Sequence, residues 1–291
     1  MGYDGLIMDI KTINEAKRLL ISEFRSAEID SADIDARMIL MSASGLSLAD
    51  LIARGSDSVN QDVIARIKSF AKRRLAGEPV DHIIGYREFY GRKFKVTKDV
   101  LSPRPETEML VDAALAVLQS NTKARILDLG TGSGAIIISI LAEVASVMGT
   151  ATDISEAALK IARENANTHN VSGRLEFIEG RWCERLSQQY DLILSNPPYI
   201  NDIDMDRLQT EVKVFDPDLA LRGGVDGLDA YRAIISRVQE HLTSSGQIIF
   251  EIGYNQGASV SKLLMDFGFI NIEVQQDLAG HDRLVMANVQ G

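Results

Sequence analysis

Four consecutive residues, Asn196-Pro197-Pro198-Tyr199, carry the most specific chemistry in this 291-residue chain. They follow an apolar run, Asp191-Leu192-Ile193-Leu194-Ser195, that reads as a buried strand, so they stand where a strand gives way to a turn. Asn196 precedes a proline and is pushed toward extended backbone, and Pro197 and Pro198 fix their own φ, which makes the turn stiff before any ligand arrives. The side-chain oxygen of Asn196 and the carbonyl of Pro197 can accept both hydrogens of a planar NH2 group, and the ring of Tyr199 can lie against its plane. A conjugated NH2 is a poor nucleophile because its lone pair is delocalised. Holding it in line with a sulfonium methyl is then a large part of the catalysis, since orientation is worth roughly 7–11 kcal/mol, and no strong general base is needed beforehand. Asn196, Pro197 and Tyr199 are the candidate catalytic residues, and Pro198 completes the substrate-binding turn.

A second constellation lies upstream. Ile126-Leu127-Asp128-Leu129 runs into Gly130-Thr131-Gly132-Ser133-Gly134 and then Ala135, an apolar strand entering three alternate glycines and a helix. Such a turn can be tight, and a nucleotide-like ligand can approach bare backbone. Gly130-x-Gly132-x-x-Ala135 also satisfies the relaxed dinucleotide fingerprint, whereas no Lys-Ser/Thr pair follows to grip a phosphate. Asp153 ends the next strand, where its carboxylate can accept from both ribose hydroxyls or cap the helix that opens near Ser155. The single cysteine, Cys183, and four scattered histidines, His82, His169, His241 and His281, form no metal-ligand pattern, so no metal is expected.

The elements that must position these residues are an alternation of strands and helices. Strands are expected over 125–129, 148–153, 174–179, 190–195 and 246–252, with two more closing the chain, and helices over 106–119, 135–145, 156–168, 228–243 and 257–267. A loop-rich stretch fills 200–226. Alternation of this kind implies a doubly wound, mostly parallel sheet with ligands at the carboxyl ends of its strands. Ahead of it, Ile13, Ala16, Leu20 and Phe24 form one apolar helical stripe and Ile34, Met38 and Met41 another, with further helices over 47–54 and 60–76. The expected organisation is a small helical bundle over 1–76, a connector over 77–104 and the α/β domain over 105–291. Alternation in Arg87–Tyr90 and Phe94–Val96 around Gly91 makes the connector a β-hairpin.

Composition narrows the function classes. With 45% hydrophobic and 25% charged residues, the chain has the make-up of a soluble globular protein. No apolar run reaches the roughly 18 residues of a membrane span, and MGYDGLIMDI has neither the basic start nor the apolar stretch of a signal peptide, so a cytoplasmic location without membrane contact is expected. Net charge is −10, and residues 105–291 alone carry −12. That field disfavours broad binding of a phosphate backbone. Lys72-Arg73-Arg74 and the basic run Arg92, Lys93, Lys95 and Lys98 are the two local exceptions. An enzyme methylating an exocyclic adenine or guanine nitrogen remains the alternative, because a flipped base presents the same planar NH2.

The two constellations resemble the S-adenosylmethionine-dependent amino-methyltransferases, and the connector narrows the likeness. Gly77-x-Pro79, Gly85-x-x-x-Phe89-Tyr90-Gly91, Phe94-x-Val96 and Val100-Leu101-x-Pro103-Arg104-Pro105-Glu106-Thr107-Glu108 are similar to the PrmC/HemK family. So are Glu211-x-x-x-Phe215-x-Pro217, Gly223-Gly224-x-Asp226-Gly227 and Asp282-Arg283. The resemblance implies a seven-stranded Rossmann-like methyltransferase domain that methylates the glutamine N5 of the Gly-Gly-Gln motif in class-1 peptide chain release factors. It implies S-adenosyl-L-methionine as cofactor and S-adenosyl-L-homocysteine as product, with no nucleic-acid partner and the helical bundle docking the release factor. Gly130, Thr131, Gly132, Ser133 and Gly134 would then wrap the methionine part, Asp153 the ribose and Trp182 the adenine, with Asn196 touching both cofactor and glutamine. The family commonly has an acidic residue before this tryptophan, where this chain has Arg181, and an aliphatic residue where it has Ser102. Arg104 and Glu106 are placed to close a loop over the site or to pair with each other.

Overall fold

The computed structural model describes residues 10–119, 121, 123–208 and 210–290; the first nine residues of the expected bundle lie outside them. The chain forms two compact units, one of residues up to Gly85 together with Thr210–Phe215 and one of the remainder.

The first unit is helical: α1 (Ile13–Ser26), α2 (Ala32–Ser44), α3 (Leu48–Ala53), α4 (Gln61–Leu75) and α5 (Val80–Ile84). Helix α1 starts at a capping box in which the Thr12 hydroxyl accepts from the Glu15 N–H while the Glu15 carboxylate accepts from the Thr12 N–H. Its stripe of Ile13, Ala16, Leu20 and Phe24 is buried as the spacing predicts. Helix α2 departs from expectation. Ile34 is 51% exposed and Met38 and Met41 only half-buried, while Ala32, Asp35, Ala36, Ile39, Leu40 and Ala43 face the core. A carboxylate in the buried stripe hid the true face. Asp35 is tolerated there because Arg74 of α4 donates to it at 2.7 Å, with side-chain exposures of 4% and 6%. The same guanidinium reaches Glu211 at 2.9 Å, and Ser31 donates to Asp35 at 2.8 Å. Helix α5 was not anticipated inside the connector; Gly85, at φ 83°, ends it.

The second unit opens with the expected hairpin, β1 (Tyr86–Phe89) and β2 (Arg92–Lys95). After a 3-10 turn at Pro105–Thr107 come α6 (Glu108–Leu118), β3 (Arg125–Leu129), α7 (Ala135–Glu143), β4 (Met148–Asp153), α8 (Glu156–Thr168), β5 (Leu175–Glu179) and β6 (Tyr190–Ser195). The stretch read as loop holds short pieces: β7 (Ile200–Asn201), α9 (Asp202–Met205), α10 (Thr210–Phe215, part of the helical unit), α11 (Asp218–Leu221) and β8 (Arg222–Gly224). Then follow α12 (Asp229–Val238), β9 (Leu242–Glu251), α13 (Gly257–Asp266), β10 (Ile270–Gln276) and β11 (Asp282–Asn288). Strand β9 begins earlier than expected because Leu242 already pairs with Tyr190, which cuts the preceding helix short.

Seven strands form one sheet in the order β10-β11-β9-β6-β3-β4-β5. Strands β9, β6, β3, β4 and β5 are parallel, and β11 runs antiparallel to both of its neighbours. The chain leaves β3 toward β4 and β5, then returns to place β6 on the other side of β3, so the strand order reverses between β3 and β6. Side chains alternate across the sheet: Ile126, Leu192, Leu194 and Ile249 join the core under α6 and α7, and Leu127, Ile193, Ile248 and Phe250 join that under α12 and α13. Among the described residues, no helix is long and apolar enough to cross a membrane.

The buried ion cluster of the helical unit gives a direct test. Arg74→Ala strands Asp35 in the core, and urea unfolding should register a loss of roughly 3–5 kcal/mol. Replacing both partners, as Arg74→Met with Asp35→Leu, should recover most of it.

Candidate active site

At the reversal point the carboxyl ends of β3, β4 and β6 face a cavity of about 500 Å3. Its wall takes Gly130 to Ser133 from the turn after β3, Asp153 from β4, Trp182, and Asn196 with Pro198 from the turn after β6. Residues Asp99–Arg104 and Pro217–Ala220 also line it. The two stretches are tied to each other where Arg104 donates to Asp216 at 3.0 Å, so Arg104 does not pair with Glu106 as one sequence reading had it.

The glycine turn is held from below by side chains. Gly130, Gly132 and Gly134 all have positive φ. A Cβ on Gly130 would stand 3.3 Å from the Trp182 indole, so the bare backbone lets that ring lie on the turn. Gly134 serves another purpose. It starts α7 and faces Ile138 and Ala162, outside the cavity wall. Asp128 is fully buried and accepts from the Thr131 hydroxyl at 2.6 Å. Asn165 of α8 donates to Ser133 O at 2.8 Å and exchanges hydrogen bonds with the Lys95 backbone, pinning turn and hairpin to one helix.

Asp153 accepts from the Gly132 N–H and from the Ser155 N–H, both at 2.9 Å. Ser155 itself caps α8, so Asp153 shapes the two turns and keeps lone pairs for a ligand. Burial pushes the Asp153 carboxyl up from its ordinary range. It pushes Asp128 up to about 7, against the opposing Thr131 hydrogen bond and with Asp153 adding to the rise. Trp182 adopts φ 52°, and its indole N–H is buried without a partner.

Asn196 is half-buried and donates through Nδ2 to the Thr107 hydroxyl at 3.3 Å. Pro197 is buried and outside the cavity wall. Tyr199 also lies outside it: the half-buried ring packs against the core under α12 and α13, and burial beside Glu251 pushes the phenol up to about 12. Its carbonyl accepts from Gln256 Nε2, which also binds Gly227 O. A Cβ on Gly227 would stand 2.4 Å from the Tyr199 carbonyl, the close approach that makes glycine obligatory in the Gly223–Gly227 run. Sequence reasoning named Ser102 only as a departure, quoted Thr107 and Asp128 within motifs without giving them a role, and missed Glu251. Asp128 is the next-to-last residue of β3 and Glu251 the last of β9, and the period of two puts Asp128 on the face of Ile126 and Glu251 on that of Ile249. A lone acid at or next to the end of an apolar strand was the available signal.

Residues 107–216 match the family described as Methyltransferase small domain, and residues 15–85 match the PrmC N-terminal domain. The chain is 43% identical to the release factor glutamine methyltransferase of Cereibacter sphaeroides, over 94% of this chain and 98% of that one. The chain belongs to the release factor glutamine methyltransferase family. The Bradyrhizobium diazoefficiens member is 40% identical over 95% of each chain. Among solved structures, the hMettl16 catalytic domain in complex with a MAT2A 3′UTR hairpin has a TM-score of 0.59 at 16% identity, covering 84% of this chain and 93% of that one. A methyltransferase from Pyrococcus furiosus has a TM-score of 0.51 at 15% identity, covering 77% and 99%. These two likenesses concern the fold. The family membership makes the chain a methyltransferase with the seven-stranded Rossmann-like domain expected from its sequence.

The buried acid under the glycine turn predicts a pH-dependent stability. A carboxyl raised from 3.8 to about 7 favours the fold while protonated, and that contribution fades as pH rises through this window. Asp128→Asn should therefore raise the thermal midpoint by at least about 2 °C at alkaline pH and by less in mild acid. Scanning calorimetry at both pH values checks the sign.

Proposed function

We propose that this enzyme methylates the side-chain amide nitrogen, N5, of the glutamine in the Gly-Gly-Gln motif of class-1 peptide chain release factors, using S-adenosyl-L-methionine and releasing S-adenosyl-L-homocysteine. The observation that carries the reading is the Asn196-Pro197-Pro198-Tyr199 turn at the cavity, with the Asn196 amide nitrogen committed to the Thr107 hydroxyl so that its oxygen is the end left to accept. The names of the family's members agree with that substrate.

The residues present fit the cofactor. The cavity is of ligand size. Open space lies above Gly132, a partly satisfied carboxylate stands at Asp153, and an unpartnered buried N–H belongs to Trp182. When bound, S-adenosylmethionine supplies an electrophilic sulfonium methyl. Gly130, Thr131, Gly132, Ser133 and Gly134 form the turn around its methionine part, with Gly134 acting through the start of α7. Asp153 holds the ribose and Trp182 the adenine. Asn196 Oδ1 and the Pro197 carbonyl accept the two amide hydrogens of the glutamine, which fixes its nitrogen and directs its lone pair along one line. The proton lost on methylation leaves to solvent, since an amide that carries an extra proton on nitrogen has lost its conjugation and is a strong acid. Tyr199 braces the turn from behind, and its ring meets the glutamine only if it swings from the core. Residues 1–76 dock the release factor and the connector over 77–104 carries the chain to the catalytic domain over 105–291. The partner is a cytoplasmic translation protein, neither a nucleic acid nor a membrane.

Incubation of purified release factor, transfer RNA and ribosomal RNA with the enzyme and cofactor, followed by intact-mass analysis, tests the reading. One methyl on the Gly-Gly-Gln peptide is expected, and none when that glutamine is replaced. A methyl found only on RNA would move the assignment to an adenine or guanine amino group. Asn196→Ala should cut turnover by at least about 100-fold, the scale of losing a preorganised polar contact, while S-adenosylhomocysteine affinity changes far less. Calorimetric binding beside the turnover assay separates the two effects.

A further inference from the structure

The amide of Asn196 can face the cavity with its oxygen or with its nitrogen, and only the oxygen can accept from an NH2. Its orientation is set by what stands behind it. Strands β6 and β9 are in parallel register with Ser195 opposite Phe250, so Asn196 adjoins Glu251, the last residue of β9. Glu251 is 4% exposed and has one carboxylate oxygen, Oε2, buried without a hydrogen-bond partner. Thr107 and Asn196 stand beside its carboxylate and favour its charged form, and the Thr107 hydroxyl oxygen accepts from Asn196 Nδ2 at 3.3 Å. A hydroxyl that accepts from Asn196 has its own hydrogen free for the carboxylate. An ionised carboxylate accepts only, so the whole arrangement draws Nδ2 inward and leaves Oδ1 for the cavity.

We propose that Glu251, acting with Thr107, is a positioning residue that fixes which end of the Asn196 amide meets the substrate nitrogen. This rests on the glutamine-methylating reading above and extends it to a residue that does not line the cavity. Retaining a nearly buried acid at this place has a stability cost that an apolar side chain would avoid. Orientation of the catalytic amide is what the acid supplies in return.

The arrangement responds to protons. Burial pushes the Glu251 carboxyl up to about 7, opposed by Thr107, Arg283 and Asn196 and reinforced by Glu106. The charged and titratable groups facing it are Glu106 from the 3-10 turn, Arg283 from β11, the Tyr199 phenol from the turn after β6 and the Tyr231 phenol from α12, which donates to the Glu251 backbone carbonyl. Protonated Glu251 offers an O–H donor, which Asn196 satisfies by turning Oδ1 inward. Nδ2 then confronts the substrate NH2, donor against donor. Turnover should therefore fall as pH drops through this range. Asp128 titrates in the same range, so a Glu251 variant identifies the group responsible.

The test uses the full chain, with methyl transfer to purified release factor followed from mild acid to mild alkali and S-adenosylhomocysteine binding measured in parallel. Glu251→Leu removes the inner acceptor. Its kcat should fall by about 30-fold while inhibitor affinity stays within about 3-fold. Glu251→Gln keeps an accepting oxygen and should recover most of the rate in mild alkali, with the Glu251 component of the acid-side fall missing. Thr107→Val breaks the hydroxyl link and should lower kcat by about 10-fold even where the leucine variant fails to fold. Wild-type kcat in Glu251→Leu or Thr107→Val, or an unchanged pH profile in Glu251→Gln, overturns the positioning role. A wild-type enzyme that leaves the release factor unmethylated overturns the functional reading together with it, whereas an active wild type matched by its variants overturns the role of Glu251 alone.

Discussion

The site's two halves are held at one depth by the pairing of β3 with β6, and a buried hydrogen bond closes that pairing at its carboxyl end. The Ser195 hydroxyl donates to the Leu129 carbonyl at 2.7 Å, tying the last residue of β6 to the last residue of β3. Both strands stop there, and each immediately enters a chemically loaded turn, glycines after β3 and Asn-Pro-Pro-Tyr after β6. Because the chain has gone out to β5 and come back before laying β6 beside β3, no connection crosses the mouth between them. The parallel ladder from Ile126 and Leu192 to Leu129 and Ser195 fixes this depth residue by residue. A slip of one position would invert every side chain of β6, burying Ile193 where Leu192 and Leu194 belong.

The same geometry explains why acids accumulate at the strand ends. Asp128, Asp153 and Glu251 end or nearly end β3, β4 and β9, and burial raises all three carboxyls. Asp128 accepts from Thr131 and Asp153 from the Gly132 N–H, each fixing part of the glycine turn, while Glu251 stands beside Asn196 and Thr107. A reaction governed by orientation needs rigid acceptors more than it needs a base, and these carboxyls provide the rigidity.

β3, β4 and β6 fall on the ranges the sequence predicts; β3 and β6 were legible as mainly apolar runs, whereas β4, Met-Gly-Thr-Ala-Thr-Asp, was legible from its place between two helical stretches. The loop, Asp153 and the Asn-Pro-Pro-Tyr turn were legible because their residue types are rare in combination. What escaped was decided by partners far away in sequence. The buried face of α2 includes Asp35, which reads as polar until Arg74 is seen against it. Thr107 and Glu251 lie in separate elements, and nothing local to either reveals that both converge on Asn196. The short helices and two-stranded sheet between residues 200 and 226 lack the length for a periodic signal.

The central claim is that the Asn196 oxygen and the Pro197 carbonyl hold a glutamine amide. A crystal structure of the enzyme with S-adenosylhomocysteine and a Gly-Gly-Gln peptide tests it most directly. The account predicts the glutamine side-chain nitrogen within hydrogen-bond distance of both oxygens, with the Asn196 nitrogen still turned toward Thr107. A peptide seated elsewhere, or bound with its amide nitrogen away from Asn196, would contradict it.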